Sequence, residues 1–287
     1  MNKNKNNDNK LKKAPKAYDN KRFLHSPAGR EIRILSEYHY PEYRFQEKKI
    51  HGTIIFFGSA RSKPKETYDR ELFEMLEQQN QAKKELKKVW SAKIEKYKLK
   101  AAASGFYQDA VELAYLLAEW TKQMPHQYQY HICTGGGPGI MEAANRGASI
   151  SGTHSIGLNI SLPFEQEPNQ FISPDLNFEF HYFFMRKFWF IYMAKAIVAF
   201  PGGFGTLDEL FDCLTLVQTK KHHYPLPVLL YSREFWNKLI NFDYMVELGM
   251  ISPEDIDLFS YADTPTEAFN YLTKELIRLN KLEKFFK

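Results

Sequence analysis

Cysteine is almost absent from this sequence. Only Cys133 and Cys213 occur among 287 residues, and each lies within an apolar segment. Two such residues cannot build a disulfide framework, and they leave too few thiolates for a cysteine-based metal site. The cysteine content therefore predicts a reducing, cytoplasmic setting and no metal centre.

Long hydrophobic runs are also missing. The most apolar stretch, "FWFIYMAKAIVAF" from Phe188 to Phe200, is too short to span a bilayer and contains Lys195. The first residues are polar and lack the apolar segment of a signal peptide. We therefore expect a soluble protein that does not enter a membrane.

The excess of positive charge is confined to one end of the chain. The formal charge is +5, and residues 1–21 supply all of it, with seven Lys against Asp8 and Asp19. The remaining residues sum to zero, which argues against a basic groove and a nucleic-acid partner. Residues 1–21 are also rich in Asn and of low complexity, which predicts a disordered, solvated tail.

What the sequence does contain is a regular alternation of apolar strands and helices. Hydrophobic residues make up 44% of the chain, enough for a sizeable core. Strand-like runs such as "TIIFF", "YHICT", "AIVAF" and "PVLLY" are separated by helical patterns, as in a doubly wound parallel α/β sheet. One reading within this pattern takes "FEFHYFFMRKFWFIYMA" as a single helix that is apolar almost all round.

The domain organisation predicted from composition has three parts. A disordered basic tail covers residues 1–21, and a helical arm covers 22–51 and packs on the domain through Ile32, Ile34 and Leu35. A single domain covers 52–287, since no Pro-, Gly- or Ser-rich linker divides it. Within that domain, residues 66–100 are rich in Glu, Lys, Gln and Ala and predict a charged insert of one or two long helices.

Three predicted strands end in small-residue loops that lead towards helices. These loops are Gly58-Ser59, Gly135 to Gly139 and Gly202 to Gly205. Because the carboxyl ends of parallel strands share one edge of a sheet, the loops can converge on one crevice. Glycines followed by a helix N-terminus form a cradle for an anion, best suited to a phosphate. The alternative for any single loop is a tight turn with no ligand.

Neither strongly glycine-rich loop matches a standard nucleotide motif. "GxxxxGK[ST]" is absent, and "GGGPGI" lacks the spacing of a dinucleotide fingerprint. Thr206 and Glu209 have the Thr-x-x-Glu spacing of a capping box, which is the structural alternative for that segment. A capping box explains neither the preceding glycines nor Asp208, a carboxylate that could face the sugar attached to a bound phosphate.

Arg186 and Lys187 lie in a segment with almost no polar face, "YFFMRKFWFIYM". Burying an arginine without a partner is costly, so Arg186 should meet a carboxylate, a carbonyl or a ligand anion. Two readings remain open: both side chains snorkel to solvent at a helix end, or both reach the crevice.

The segments "GGGPGIMEAANRGA", "MRK" and "PGGFGTLDE", in that order, resemble the Lonely Guy family. The resemblance covers roughly Gly52 to Leu279. It implies a Rossmann-like fold and assembly as dimers or larger homo-oligomers. It also implies hydrolysis of the N-glycosidic bond of nucleoside 5′-monophosphates to free base and ribose 5-phosphate, without a cofactor.

The resemblance also assigns residues to the site. The family's catalytic Arg and Glu fall on Arg186 and Glu209. The positions implied to bind substrate are Gly58, Ser59, Arg61, Gly135, Gly136, Gly137, Glu142, Glu165, Lys187, Gly202, Gly203, Gly205, Thr206 and Thr215.

Departures from the plant-type members bear on the substrate. Those members lack the arm before Gly52 and the charged insert, and they read differently around "LPFEQEPNQ". We therefore expect AMP or another ordinary nucleotide rather than a cytokinin nucleotide. A nucleotide-binding sensor or carrier without catalysis is the alternative function, and lysine decarboxylation is disfavoured because no pyridoxal-phosphate lysine is recognisable.

Overall fold

The protein is described here from a computed structural model, which covers residues 13–101, 104–163, 167–221 and 225–282. Seven strands form one sheet. They are β1 (Thr53–Phe57), β2 (His131–Thr134), β3 (Ser155–Ile160), β4 (Asn177–Phe180), β5 (Ala194–Ala199), β6 (Val228–Tyr231) and β7 (Ser260–Ala262). The α-helices are α1 (Lys21–Leu24), α2 (Arg30–Glu47), α3 (Lys65–Gln81), α4 (Lys84–Ala101), α5 (Gly105–Thr121), α6 (Ile140–Ser151), α7 (Phe183–Met193), α8 (Phe204–Gln218), α9 (Arg233–Leu239), α10 (Phe242–Glu247) and α11 (Pro265–Leu279).

The strands lie in the order β4-β3-β2-β1-β5-β6-β7, and every neighbouring pair is parallel. From β1 the chain winds outward through β2 to β4, then returns to pair β5 with the other side of β1. The strand order therefore reverses between β1 and β5, where open α/β sheets bind ligands beyond the carboxyl ends of the strands. The predicted doubly wound parallel fold is confirmed.

Burial on both faces explains why the strands are continuous apolar runs. In β1, Ile54 and Phe56 pack into one hydrophobic layer with α5, α6 and α11, and Ile55 and Phe57 pack into the other with α7 and α8. All four side chains are buried. A parallel sheet covered on both faces selects such runs over an alternating pattern.

Two strands differ from the sequence prediction. Residues 178–180 were predicted to begin the long apolar helix, but they belong to β4, in which Phe178 and Phe180 are buried and Asn177 and Glu179 are exposed. That alternation has the period of a strand, and the helix begins only at Phe183. The short edge strand β7 was not predicted, because three residues carry too little periodicity.

The predicted arm is helical, and its contacts differ in part from the prediction. Ile34 packs against the core, as predicted, whereas Ile32 and Leu35 are exposed. The buried residues of α2 are Pro41 and Phe45.

The charged insert forms two helices, α3 and α4, which pack against each other. Tyr68 and Ile94 are their buried residues. Of the predicted tail, residues 1–12 lie outside the described residues, and a 3-10 turn occupies Ala17–Asp19. No helix in the described ranges combines the length and the apolar character needed to cross a membrane.

Candidate active site

The three small-residue loops meet at the carboxyl edge of the sheet. The Ser59 amide donates a hydrogen bond to the Pro201 carbonyl (3.0 Å), and the Ile140 amide donates one to the Ser59 carbonyl (3.0 Å). A cavity of about 640 Å³ opens between the loops. Its lining from the predicted set consists of Gly58, Ser59, Arg61, Gly135, Arg186, Gly202, Gly203, Gly205, Thr206 and Glu209.

The close packing of these loops depends on Gly139. Its φ is +75°, and a Cβ atom added there would lie 2.2 Å from the Ser59 carbonyl oxygen. A side chain at this position would push the first loop away from the second. The glycine therefore fixes the spacing of two walls of the cavity.

The third loop leads directly into α8, whose N-terminus faces the cavity. A Cβ on Gly202 would lie 2.1 Å from Thr206 Oγ1, so packing requires glycine there. A Cβ on Gly203 or Gly205 would meet nothing within 4 Å. These two glycines keep space open beside the first-turn N–H groups, which have no partner within the helix.

The capping-box alternative is wrong for this segment. The helix begins at Phe204 with Gly203 as N-cap, and no side chain caps it. Thr206 therefore lies inside the first turn, where its side chain packs over Gly202. Both Thr206 and Glu209 are buried.

Behind the second loop lies a buried polar network that the sequence analysis did not identify. The Asn169 side-chain amide donates to the carbonyl oxygens of Gly136 (3.0 Å) and Gly137 (3.1 Å) and to Asn145 Oδ1 (2.9 Å). Thr134 Oγ1 donates to the same Asn145 oxygen (2.6 Å). The network satisfies the loop's carbonyl groups from behind, so Gly136 and Gly137 support the loop and do not line the cavity.

Arg186 and Glu209 form a buried ion pair at the base of the cavity. Arg186 Nη2 lies 3.5 Å from Glu209 Oε1, and the two side chains are 14% and 6% exposed. The guanidinium also lies over the rings of Phe183 (5.2 Å) and Phe190 (5.6 Å). Two atoms of the pair, Arg186 Nε and Glu209 Oε2, are buried without a hydrogen-bond partner among the described residues.

Burial shifts the pKa values of both members of this pair. Removal from water raises the pKa of Glu209 to about 7, although Arg186 and Lys187 act in the opposite direction. Burial lowers the pKa of Arg186, and the charges of Glu209 and Asp208 partly offset this. A carboxyl group with a pKa near neutrality and an unpartnered oxygen, placed in a crevice, has the features of a functional group.

Lys187 turns away from the cavity. Its ammonium group binds Asp208 Oδ2 (2.8 Å) and Asp212 on the outside of α8. Asp208 is thus engaged in an ion pair and is not among the cavity residues, contrary to the expectation that it faces a bound sugar. Of the two neighbouring cations, only Arg186 lines the crevice.

Two further predicted substrate-binding residues, Glu142 and Thr215, are described by the structure and do not line the cavity. The Glu142 carboxylate accepts a hydrogen bond from the Tyr107 hydroxyl (2.7 Å). The Thr215 hydroxyl is exposed and donates to the Phe211 carbonyl (2.7 Å). Glu165 lies outside the described residues. No group of three or more His, Cys, Asp or Glu side chains converges on a metal position within the described ranges.

Comparison with known proteins gives consistent matches. A family model described as "Possible lysine decarboxylase" matches residues 141–272. The chain is 30% identical over 155 residues to the probable cytokinin riboside 5′-monophosphate phosphoribohydrolase LOG4 of Oryza sativa subsp. japonica, covering 53% of this chain and 66% of that protein. It is 30% identical over 157 residues to the cytokinin riboside 5′-monophosphate phosphoribohydrolase LOG3 of Arabidopsis thaliana, covering 53% and 65%.

The chain thus spans just under two thirds of the length of these two relatives. Among solved structures, the X-ray structure of TM1055, a structural genomics target, is 18% identical, with a TM-score of 0.45, and the match covers 78% of this chain and 99% of that one.

Fold and crevice together define a class, the doubly wound α/β proteins in which glycine loops meet at the reversal of strand order. Within that class, the resemblance to the Lonely Guy family that the motifs indicated is confirmed.

Proposed function

We propose that this protein hydrolyses the N-glycosidic bond of nucleoside 5′-monophosphates, AMP or a related nucleotide, to free base and ribose 5-phosphate. The observation that carries the proposal is the Glu209 carboxyl group, which is buried in a crevice beside a glycine-rich helix N-terminus and paired with Arg186. The names of the relatives, cytokinin riboside 5′-monophosphate phosphoribohydrolases, support the same reaction class.

In this proposal the phosphate binds at the N-terminus of α8. The open space at Gly203 and Gly205 allows an anion to approach the first-turn N–H groups, and the helix dipole favours negative charge there. Arg61, which also lines the cavity, adds a cation at its rim. Anchoring the phosphate fixes the ribose relative to Glu209, one helical turn away, so binding energy is converted into orientation.

Glu209 acts on the sugar. As the C1′–N bond breaks, positive charge develops on the ribose, and an ionised carboxylate beside it stabilises that charge. The same carboxylate can accept a proton from the water that attacks C1′. The guanidinium of Arg186 orients Glu209 and balances charge while the base leaves, and these steps require no organic cofactor.

The cavity also has apolar side chains in its lining that suit a flat, apolar group. They are Ile160, Leu162, Phe183 and Leu239. A purine or pyrimidine placed there would be shielded from water on its faces. These apolar side chains do not select one base by hydrogen bonding, and they are therefore compatible with AMP or another ordinary nucleotide.

Two other readings of the site are weaker. A sensor or carrier would use the same phosphate loop, but it would not need an ion pair whose carboxyl pKa lies near 7. A lysine decarboxylase would need a lysine free to form a Schiff base, and Lys187 is engaged by Asp208 and Asp212.

We also propose that the protein self-associates. Phe184 and Tyr192 are about half exposed on one side of α7, where Tyr192 stacks on Phe188. An exposed aromatic strip of this kind is typical of a contact surface. Sedimentation equilibrium should give at least twice the mass of one chain, and a single-chain mass contradicts the proposal.

The test of the reaction is direct. The purified protein is incubated with AMP, GMP, CMP and UMP, and free base is measured by chromatography. We expect base release from at least one nucleotide and a loss of at least about a hundredfold in Glu209→Ala. Nucleotide that binds to the wild-type protein but is recovered intact would favour the sensor.

A further inference from the structure

The N-terminal arm contacts the turn from which the helix of Arg186 starts. Glu37, on α2, accepts hydrogen bonds from the His181 amide at Oε1 (2.8 Å) and from the Tyr182 amide at Oε2 (3.2 Å). His181 and Tyr182 connect the end of β4 to the start of α7. One carboxylate from a distant part of the chain therefore holds both amides of this turn.

These amides have no alternative partner within α7. Tyr182 is the N-cap of the helix, and no side chain of the helix itself caps it. A carboxylate is a strong acceptor for such N–H groups, and its negative charge also matches the positive end of the helix. Glu37, from another helix, thus accepts a hydrogen bond from the N-cap amide, as the Glu of a capping box does within its own helix, and it also binds the amide before the N-cap.

The same arm residue also holds α7 about two turns further along. The indole N–H of Trp189 donates to the main-chain carbonyl of Glu37 (2.9 Å), and the Trp189 side chain is buried. Arg186 lies between these two attachments, four residues after Tyr182 and three before Trp189. The helix is therefore fixed on both sides of Arg186 by a single residue of α2.

The position of α7 matters because Arg186 reaches Glu209 at 3.5 Å. A small shift or rotation of the helix would change that distance and move Phe183, which also lines the cavity. Misplacement by about 1 Å can cost an enzyme up to about a hundredfold in rate. Glu37 lies outside residues 141–272, which the family model matches, whereas its partners His181, Tyr182 and Trp189 lie within them.

We propose that Glu37 is a positioning residue for Arg186, so that the N-terminal arm is part of the active-site architecture. The proposal rests on the proposed function for its catalytic consequence, but the attachment itself can be tested without activity. Glu37 contacts neither the cavity nor Glu209 and acts only through α7.

The principal experiment compares Glu37→Ala with Glu37→Gln and with the control Glu42→Ala. Glu42 lies on the same helix and pairs only with His39 (3.5 Å) among the contacts of the described residues. With AMP as substrate, we expect kcat to fall about tenfold to a hundredfold in Glu37→Ala, with KM changed by less than about threefold. Glu37→Gln retains an acceptor oxygen and should recover part of the loss, and Glu42→Ala should match the wild type.

A double-mutant cycle separates positioning from a general loss of stability. If Glu37 acts through Arg186, adding Glu37→Ala to Arg186→Ala should lower kcat by less than about twofold. A full, additive loss in the double variant would overturn the proposal. So would an unchanged kcat in Glu37→Ala, measured at a temperature where the variant is folded.

Hydrogen exchange tests the attachment independently of catalysis. Amides of His181 and Tyr182, followed in a peptide that covers the start of α7, should exchange at least about tenfold faster in Glu37→Ala than in Glu42→Ala. Equal exchange in the two variants would overturn the proposal. If the wild-type protein cleaves no nucleotide, the proposed function fails, whereas faster exchange would still show that Glu37 holds this turn.

Discussion

At the scale of single residues, the site is governed by one buried carboxyl group. Glu209 is removed from water, and the raised pKa of about 7 means that it is only partly ionised at neutral pH. The proposed reaction needs the ionised form. The protonation of this side chain should therefore control both the rate of base release and the pH dependence of stability.

The first consequence concerns the rate. We expect kcat/KM for base release from AMP to rise with pH and to level off above about pH 7, because Glu209 of the free enzyme then becomes ionised. The nucleotide phosphate itself ionises near pH 6. The profile is therefore measured from about pH 6.5 upward. A rate that falls or stays constant over this range would contradict the assigned role.

The second consequence concerns stability. The folded-state pKa of Glu209 lies above the unfolded value of 4.5, so folding favours the protonated form. The stability that the protonated Glu209 side chain gives to the folded state is fully present below about pH 4.5. It is lost as pH rises through about 7. The loss amounts to roughly 3 kcal/mol, since one pKa unit corresponds to about 1.4 kcal/mol.

Glu209→Gln, which cannot ionise, tests this linkage. The stability of the variant relative to the wild type should increase between pH 5 and pH 8, even though Arg186 loses its counter-ion. Urea unfolding at the two pH values measures the difference. A difference that stays constant or shrinks as pH rises would show that the buried carboxyl group is not the cause.

At the scale of elements, the cavity is formed largely by the loop that connects β5 to α8 and by the first turn of α8. The strand delivers the chain to the switch point, and Gly202, Gly203 and Gly205 let the first turn of α8 face the cavity without side chains in the way. Gly202 is needed for packing, whereas Gly203 is needed for open space. A substitution at Gly202 should therefore disturb packing, whereas a substitution at Gly203 should fill the open space beside the helix N-terminus.

Gly203→Val tests the open position. A Cβ atom at this position has no neighbouring atom within 4 Å, so we expect the free energy of unfolding to change by less than about 1 kcal/mol. The side chain would occupy the proposed phosphate position, and the affinity for AMP should fall at least about tenfold. Calorimetric titration with AMP and urea unfolding measure the two effects. An unchanged affinity for AMP would contradict the proposal that the phosphate binds at the N-terminus of α8.

The sequence predicted those elements whose residues carry strong local patterns. Buried strands such as β1 and β5 were predicted from apolar runs, and the meeting of the loops followed from the shared edge of a parallel sheet. β4 was missed because Phe178 and Phe180 continue into the aromatic segment of α7 without a break. In that stretch the strand period is too short to separate from an apolar helix.

Contacts across long sequence distances could not be predicted. Glu37 and His181 are 144 residues apart, and Asn169 reaches Gly136 over 33 residues. No local pattern marks an amide or a carboxylate as the partner of a distant backbone group. The ion pairs of Lys187 with Asp208 and Asp212 could not be predicted either, because they depend on how α7 and α8 pack.

At the scale of the whole molecule, the sheet separates two hydrophobic layers with different roles. The layer with α7 and α8 includes Phe57 and Phe190, which also line the cavity. The buried residues of the layer with α5, α6 and α11, such as Leu113 and Leu272, do not line the cavity, to which α6 contributes only the side chain of Met141 among the described residues. Packing defects should therefore have different effects on the two sides.

Leu113→Ala tests the layer behind the sheet. The side chain is fully buried, so its truncation should lower the free energy of unfolding by about 2–5 kcal/mol. The kcat per folded molecule should remain within about twofold of the wild type at a temperature well below the unfolding midpoint. A larger drop in kcat, with the protein still folded, would show that the two layers are coupled.

This division has a consequence for how such a protein can change over time. Residues in the far layer, with α5, α6 and α11, can be replaced by other apolar residues without changing the cavity. The effect of such a substitution is then set by the fraction of the protein that remains folded. Some residues in the near layer, with α7 and α8, such as Phe57 and Phe190, also line the cavity, so the same exchange changes the shape of the space open to a ligand. New substrates should therefore be acquired through the near layer, while tolerance to heat is tuned through the far one.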